Sequence, residues 1–382
     1  MRKMKKTKII DFMPAIIFFG FIFVIMILLF VLPKSEYSAQ EKKKLADFPE
    51  MNVEKVVNAE FQNQLDTYMS DHIPARNFWA GLSSDYELAV GRNGSKGIYL
   101  GSDGYLFPKP TKSTDNLMKN AGYIKEFADD SDIPIYMTVV PSSGFINSSK
   151  LPFNHEPYID GEMIASFGKS LGDNVKFTDV CKSFSELSSS RQLYYKTDHH
   201  WTSEGAFECY KLLAPSMGYD PLSEDAFSKK KIEGFYGTSY SKSALWMMAP
   251  DTIELWQNKA QPKDSVTVEI TDGKDSKKLS SYFSYEQLEN DDKYPVFLDG
   301  NHSLVRIKNS NVTGGKLIVV KDSYGHTIVP FLSQNYSEII MVDMRYYKKE
   351  ISALAEKEKA DGILFIYSLD NLAADNNLAY LF

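Results

Sequence analysis

"GKLIVVKDSYGHTIVPFLSQN", residues 315–335, joins an apolar strand at Leu317 to Val320 to a helical stretch that continues despite Pro330. Lys321, Asp322 and Ser323 fall at the carboxyl end of the strand. In parallel α/β sheets reacting groups gather at such ends, where backbone N–H groups and helix N-termini can hold an anion. The same grammar recurs on both sides. Residues 116–130 have helix periodicity, 133–143 form a strand ending in the polar loop "PSS", and "NVKFTDV", 174–180, is a second strand after another candidate helix. "EIIMVD", 338–343, and "GILFIYS", 362–368, supply two more. Alternation of this kind is α/β, built on a mostly parallel central sheet.

Upstream of these, "YYKTDHHWTSEGAF", residues 194–207, places Asp198, His199, His200 and Trp201 together in a chain with only six histidines. Thr202 or Ser203 can cap a helix from Glu204 to Leu213, so the group sits on the loop entering that helix. A serine needs a base within hydrogen-bond reach, and the base needs a third group to hold its tautomer. Asp198 and His200, two apart in an extended loop, can project the same way and present His200 to Ser323. His199 should then point away, to orient Asp198, touch substrate or pack. Trp201 reads as a wall that fixes the loop, with stacking on the acceptor as its other use. A metal site is the competing use of one carboxylate and two imidazoles. Adjacent histidines aim in different directions, no zincin spacing follows, and His72, His155, His302 and His326 are scattered, so no metal and no cofactor are expected.

The first ten residues carry Arg2, Lys3, Lys5, Lys6 and Lys8, and Phe12 to Leu32 is apolar without a charge. At 1.5 Å per residue that run reaches about 30 Å, enough to cross a bilayer with its basic flank in the cytoplasm. The run stays bulky to its end, unlike a cleaved signal peptide. The chain is therefore expected at the cell membrane, a single-pass anchor with the rest outside the cytoplasm: a tail and anchor at 1–33, a polar stalk at 34–58, a helical preface at 59–95 broken at "DHIPAR", and a catalytic domain at 96–382. Within it "GIYLGSDGYLF", 97–107, reads as a hairpin. Residues from about 229 to 312 read as a β-rich insertion, with "SALWMMAP", "TIELW" and "VTVEITD" as strands. The formal net charge of −7 argues against a nucleic-acid partner. Cys181 and Cys209 fit no zinc motif, and pair or lie in the core.

These motifs, in this order, resemble the DHHW family of bacterial surface proteins, which are similar to alginate O-acetyltransferases of the SGNH hydrolase-like superfamily. Asp198, His200 and Trp201 match the family's first block and Asp322 and Ser323 its second, while "DHIPAR", "GSDGYLF" and "VDMRYY" match its preface, domain start and later strand. The resemblance implies a three-layer SGNH-like fold and acyl transfer. His200 would take the Ser323 proton, Ser323 would carry an acetyl group, and a polysaccharide hydroxyl would receive it. It also implies a membrane-bound O-acyltransferase as donor partner; water as acceptor would give an acetyl esterase, and loss of turnover a glycan-binding scaffold. Lys321 stands where many relatives have glycine, so the turn must be made without a residue that readily takes positive φ. Oxyanion or substrate candidates are Ser323 N–H, Tyr324, the loop Ser142, Ser143 and Gly144, and Arg345, whose other role is a structural salt bridge. Trp246 and Trp256 are sugar-stacking candidates if they are not core.

Overall fold

The computed structural model describes residues 12–262 and 264–382, and the basic residues Arg2 to Lys8 lie outside the described residues. The chain divides into two compact units, Met1–Tyr86 and Glu87–Phe382.

In the first unit the apolar helix Met13–Val31 has 19 residues, long and apolar enough to cross a membrane, and almost none of its surface is covered. Glu60–His72 and Arg76–Ala89 are the helices expected around "DHIPAR". Ala75 takes φ +58° there. The break is a latch. The buried Asp71 carboxylate accepts from Lys43 Nζ at 2.7 Å and the Ala46 amide at 3.0 Å, and Arg76 pairs with Glu41 at 2.6 Å. The stalk segment is thereby tied to the helix pair, through a two-residue ribbon of Tyr37–Ser38 with Lys43–Lys44.

The second unit is built on ten long strands: β1 Ile135–Val140, β2 Val175–Asp179, β3 Phe227–Phe235, β4 Asp251–Asn258, β5 Val266–Asp272, β6 Asp275–Leu279, β7 Leu304–Asn309, β8 Lys316–Lys321, β9 Glu338–Val342 and β10 Gly362–Ser368. Eight form one sheet in the order β6-β5-β7-β9-β8-β10-β1-β2. From β9 to β2 every pairing is parallel. On the other side β7, β5 and β6 add antiparallel. Along β8 the side chains alternate between two cores. Leu317 and Val319 meet helices α3 Ser203–Met217 and α4 Gly325–Leu332, while Ile318 and Val320 meet α1 Asp115–Asp129, α2 Asp160–Ser170, α5 Ile351–Glu358 and α6 Leu369–Ala374. A strand covered on both faces needs an unbroken apolar run, which is what "LIVV" is.

α3 starts where expected, with Thr202 Oγ1 accepting from the Gly205 amide, but it runs beyond Leu213 to Met217 before Gly218 ends it at φ +74°. The segment 229–312 divides in two. β3 and β4 form a separate ribbon, while β5, β6 and β7 extend the main sheet. "SALWMMAP" is not a strand: Thr238–Ser243 is a short helix and Ala244 turns at φ +56°. Its apolar residues are consecutive, so no register puts them all on one face. Cys181 and Cys209 are buried and free.

Phe331 of α4 joins the helix to the ribbon, with ring centroids 5.3 Å from Phe207, 5.2 Å from Phe227 and 5.6 Å from Trp256. Phe331→Ala is expected to lower stability by about 3–5 kcal/mol. Denaturant unfolding checks this; an unchanged midpoint would show that the ribbon does not depend on the helix.

Candidate active site

After Lys321 the chain turns through Asp322, Ser323 and Tyr324 into α4. Asp322 holds the turn. Its Oδ1 accepts the Tyr324 amide at 2.9 Å, and its Oδ2 accepts the Ser368 amide at 2.9 Å, the Ser368 hydroxyl at 2.7 Å and Asn371 Nδ2 at 2.8 Å. Asp322 therefore locks the end of β8 to the end of β10. Lys321 is the last strand residue and does not take positive φ. The glycine this turn needs comes later: a Cβ on Gly325 would lie 2.7 Å from Lys321 Cβ. The Lys321 side chain runs beneath the turn, buried, and its Nζ donates to His326 Nε2 at 2.8 Å and Asp343 Oδ2 at 3.1 Å. Burial lowers its pKa even though Asp343 opposes the shift.

The second half of the site is a clamped loop. Tyr194 and Trp201 bridge antiparallel, and Trp201, fully buried, donates its indole N–H to the Tyr324 carbonyl at 3.1 Å. Asp251 accepts from the amides of Lys196 and Thr197 and from the Thr197 hydroxyl at 2.9, 2.7 and 2.6 Å. Asp198 Oδ1 then accepts both the His200 amide at 2.8 Å and His200 Nδ1–H at 2.5 Å. His200 Nε2 faces Ser323 Oγ at 2.7 Å. The loop is curled by that Asp198 turn, so side chains do not alternate. Against expectation, His199 lies beside His200, with ring centroids 3.9 Å apart, and its Nδ1 meets Thr238 Oγ1 at 2.6 Å.

Two residues without a sequence signal complete the arrangement. The Thr238 amide and hydroxyl donate to Asp198 Oδ2 at 2.6 and 3.0 Å. Neighbouring Gly237 must be glycine, because a Cβ would meet Asp198 Cβ at 2.1 Å. Tyr294 stacks on His200 at 4.0 Å and 12°, and its hydroxyl donates to the Ser323 carbonyl at 3.2 Å. Burial would raise the Asp198 carboxyl, but His200, His199 and the Thr238 amide outweigh it and hold it well below the usual range. Burial and His200 push the His199 imidazole down to about 4.

The Ser323 amide donates no hydrogen bond among the described residues and stays available to an oxyanion. Tyr324 is different, since its amide is taken by Asp322 and its hydroxyl by the His199 carbonyl. The Ser142 amide is held by Asp160 at 2.8 Å, and Ser143 and Gly144 begin a four-residue helical turn. That loop follows β1, with β10 between it and β8. Arg345 gives its Nε and Nη2 to Asp343 at 2.8 and 2.6 Å, a structural ion pair. Trp256 is 1% exposed, which removes it as a sugar platform, and half-buried Trp246 packs edge-on against Tyr240. Asp198, His199 and His200 bring ligand atoms within 4.8 Å of one another. Here those of Asp198 and His200 face each other and Ser323 in a hydrogen-bonded chain.

The chain is a mixed α/β protein whose mostly parallel sheet carries a serine, a histidine and a buried carboxylate in line at its carboxyl end. Residues 169–342, the stretch that contains both blocks, match the family model described as DHHW protein. A probable alginate O-acetylase AlgJ of Pseudomonas fluorescens is 22% identical over 309 residues, covering 77% of this chain and 74% of the relative. A DHHW family protein from Eubacterium siraeum has the same fold, with a TM-score of 0.62 at 23% identity over 74% of this chain and 94% of that one. So does Bacillus cereus PatB1, solved with a sulfonyl adduct, at 0.63 and 21% over 74% and 97%.

The depressed His199 makes a pH prediction. The unfolded imidazole binds a proton below about 6.5, while the folded one resists it until about 4. Its contribution to stability is thus present at neutral pH and lost as pH falls between those values. Unfolding midpoints at pH 7 and pH 5 should differ less in His199→Gln than in wild type; parallel losses would place the imidazole in free solvent. Gly237→Ala should displace Asp198 and cost about 1–3 kcal/mol, read by the same unfolding assay, with His200 Nδ1 losing its partner.

Proposed function

We propose that this chain is an extracytoplasmic O-acetyltransferase that passes an acetyl group through acyl-Ser323 to a hydroxyl of a cell-surface or secreted polysaccharide. The observation that carries the reading is the unbroken line from Asp198 Oδ1 to His200 Nδ1 at 2.5 Å and from His200 Nε2 to Ser323 Oγ at 2.7 Å. Ionised Asp198 holds the Nδ1–H tautomer, leaving Nε2 free to take the Ser323 proton. Oγ then bonds to the acetyl carbonyl carbon, and the Ser323 amide donates to the resulting oxyanion. His200 returns the proton to the leaving group, which departs as the acyl-serine forms. A sugar hydroxyl next gives its proton to His200 and attacks the acyl-serine, releasing Ser323.

Ser323 is partly exposed while Asp198 and His200 are buried, as a nucleophile needs access and its base needs a fixed orientation. In this reading the layered sheet is an SGNH-like scaffold, and Met13–Val31 anchors the domain on the outer face of the membrane. Acetyl-CoA is cytoplasmic, so an external transferase needs an acetyl group delivered across the bilayer. A membrane-bound O-acyltransferase is the partner class that does so. The named O-acetylase relative supports the choice of a polysaccharide acceptor.

The test is intact-mass analysis of the protein incubated with p-nitrophenyl acetate, alongside Ser323→Ala and His200→Ala. A transient single acetyl adduct on wild type, absent from both variants, with turnover reduced by about a thousandfold or more, is the expected result. An adduct that only water discharges, even with oligosaccharide present, makes the protein an acetyl esterase. No adduct and no turnover, with glycan binding retained in Ser323→Ala, makes it a binding scaffold.

A further inference from the structure

We propose that Asp370 is the acceptor-binding group of this site, holding an uncharged sugar ring through its hydroxyls while one of them attacks acyl-Ser323. The inference rests on the acetyl-transfer reading above and names the kind of sugar it takes.

The sheet makes the placement. β10 lies between nucleophile strand β8 and β1, with Lys321 level with Ile366 and Ser368 level with Val140. Beyond these positions, the Ser323 turn, the segment Ser368–Asn371 and the loop after Val140 leave the sheet side by side. Such a crevice at strand carboxyl ends is where α/β sheets bind ligands. In the β10 segment, Ser368 and Asn371 are both used to hold Asp322. Asp370, between them, is not. Among the described residues its carboxyl makes no ion pair and no hydrogen bond, and the residue is half-buried.

The groups facing it make that placement costly for a purely structural residue. Asp322 from the nucleophile turn and Asp160 from α2 are the carboxyls that act on it, and the phenols of Tyr158, Tyr194 and Tyr324 feel its charge. Burial first, then Asp160 and Asp322, push the Asp370 carboxyl up to about 7. A half-buried acid with no counter-ion beside two others has acceptor oxygens left for a ligand's donors. Sugar hydroxyls supply such donors without charge. A uronate ring would instead add a further negative charge to three carboxyls. No proton leaves the sugar for Asp370: the attacking hydroxyl gives its proton to His200, and Asp370 accepts hydrogen bonds only.

The experiment uses the detergent-solubilised full chain with p-nitrophenyl acetate as donor, and cellopentaose or an oligomannuronate of equal length as acceptor. Acetylated sugar and the p-nitrophenol burst are measured together. Wild type is expected to favour cellopentaose. In Asp370→Asn the ratio of transfer to burst should fall by about tenfold or more, through acceptor KM, with partial recovery in Asp370→Glu. The wild-type acceptor KM should rise as pH falls through about 7 and stay flat in Asp370→Asn. The burst doubles as the control for folding. An unchanged transfer-to-burst ratio in Asp370→Asn, a wild-type preference for the uronate, or a burst with transfer to neither sugar overturns the inference while leaving acyl-Ser323 chemistry standing. A wild type with no Ser323-dependent burst overturns the transferase reading itself.

Discussion

A carboxylate taken fully out of water must be paired and hydrogen-bonded or it neutralises. Asp198 meets that demand with donors from two places: the amide and Nδ1 of His200 on one oxygen, and the amide and hydroxyl of Thr238 on the other. The rest of the site follows from this satisfaction. Thr238 lies 40 residues further along the chain, and Gly237 is glycine because the backbone has to come that close. Once Asp198 is held, His200 has one tautomer and one direction, and that direction ends at Ser323. Tyr294, stacked on the imidazole and bonded to the Ser323 carbonyl, ties His200 and Ser323 to the same support.

The turn that carries Ser323 solves a similar problem with different groups. Asp322 is not a member of the Asp198–His200–Ser323 hydrogen-bonded line; its two oxygens hold Tyr324, Ser368 and Asn371 and so fix where β8 stops relative to β10. Lys321 puts a cation into the core next to this turn, where an unpaired ammonium would be costly. Its links to Asp343 and His326 carry the constraint across to β9 and α4, and Arg345 completes the balance at Asp343. Lys321 is therefore accommodated before the turn, with the close approach falling at Gly325.

The segment between the two sequence blocks gains a purpose from this geometry. As a sequence it looked like an insertion that separates the histidines from the serine. In the folded chain it supplies Thr238 and Tyr294 to the site and three antiparallel strands to the sheet. Its aromatic residues are mostly core: Trp256 lies under Phe207 and Phe331, with its N–H on Glu254 at 3.1 Å.

Local pattern was enough for the elements and for the pairing of types. "LIVV", "NVKFTDV" and "VTVEITD" are strands because their apolar and β-branched runs fit nothing else, and the helix breaks at "DHIPAR" because Pro74 and its neighbours cannot continue it. Asp198, His200 and Ser323 were legible as a set because acid, base and nucleophile are rare chemistry at strand and helix junctions. What the sequence could not carry was direction and proximity. It pointed His199 away and left Tyr324 as an oxyanion donor, whereas the curled Asp198 turn and the Asp322 hydrogen bond decide otherwise. Thr238 and Tyr294 are ordinary residues in ordinary stretches, and only the sheet order and the packing of distant segments bring them to one place. Periodicity and residue type act over one turn of helix or one strand. Which side chain fills the remaining valence of a buried group is settled by contacts between residues 40 to more than 120 positions apart, and those exist only in the tertiary structure.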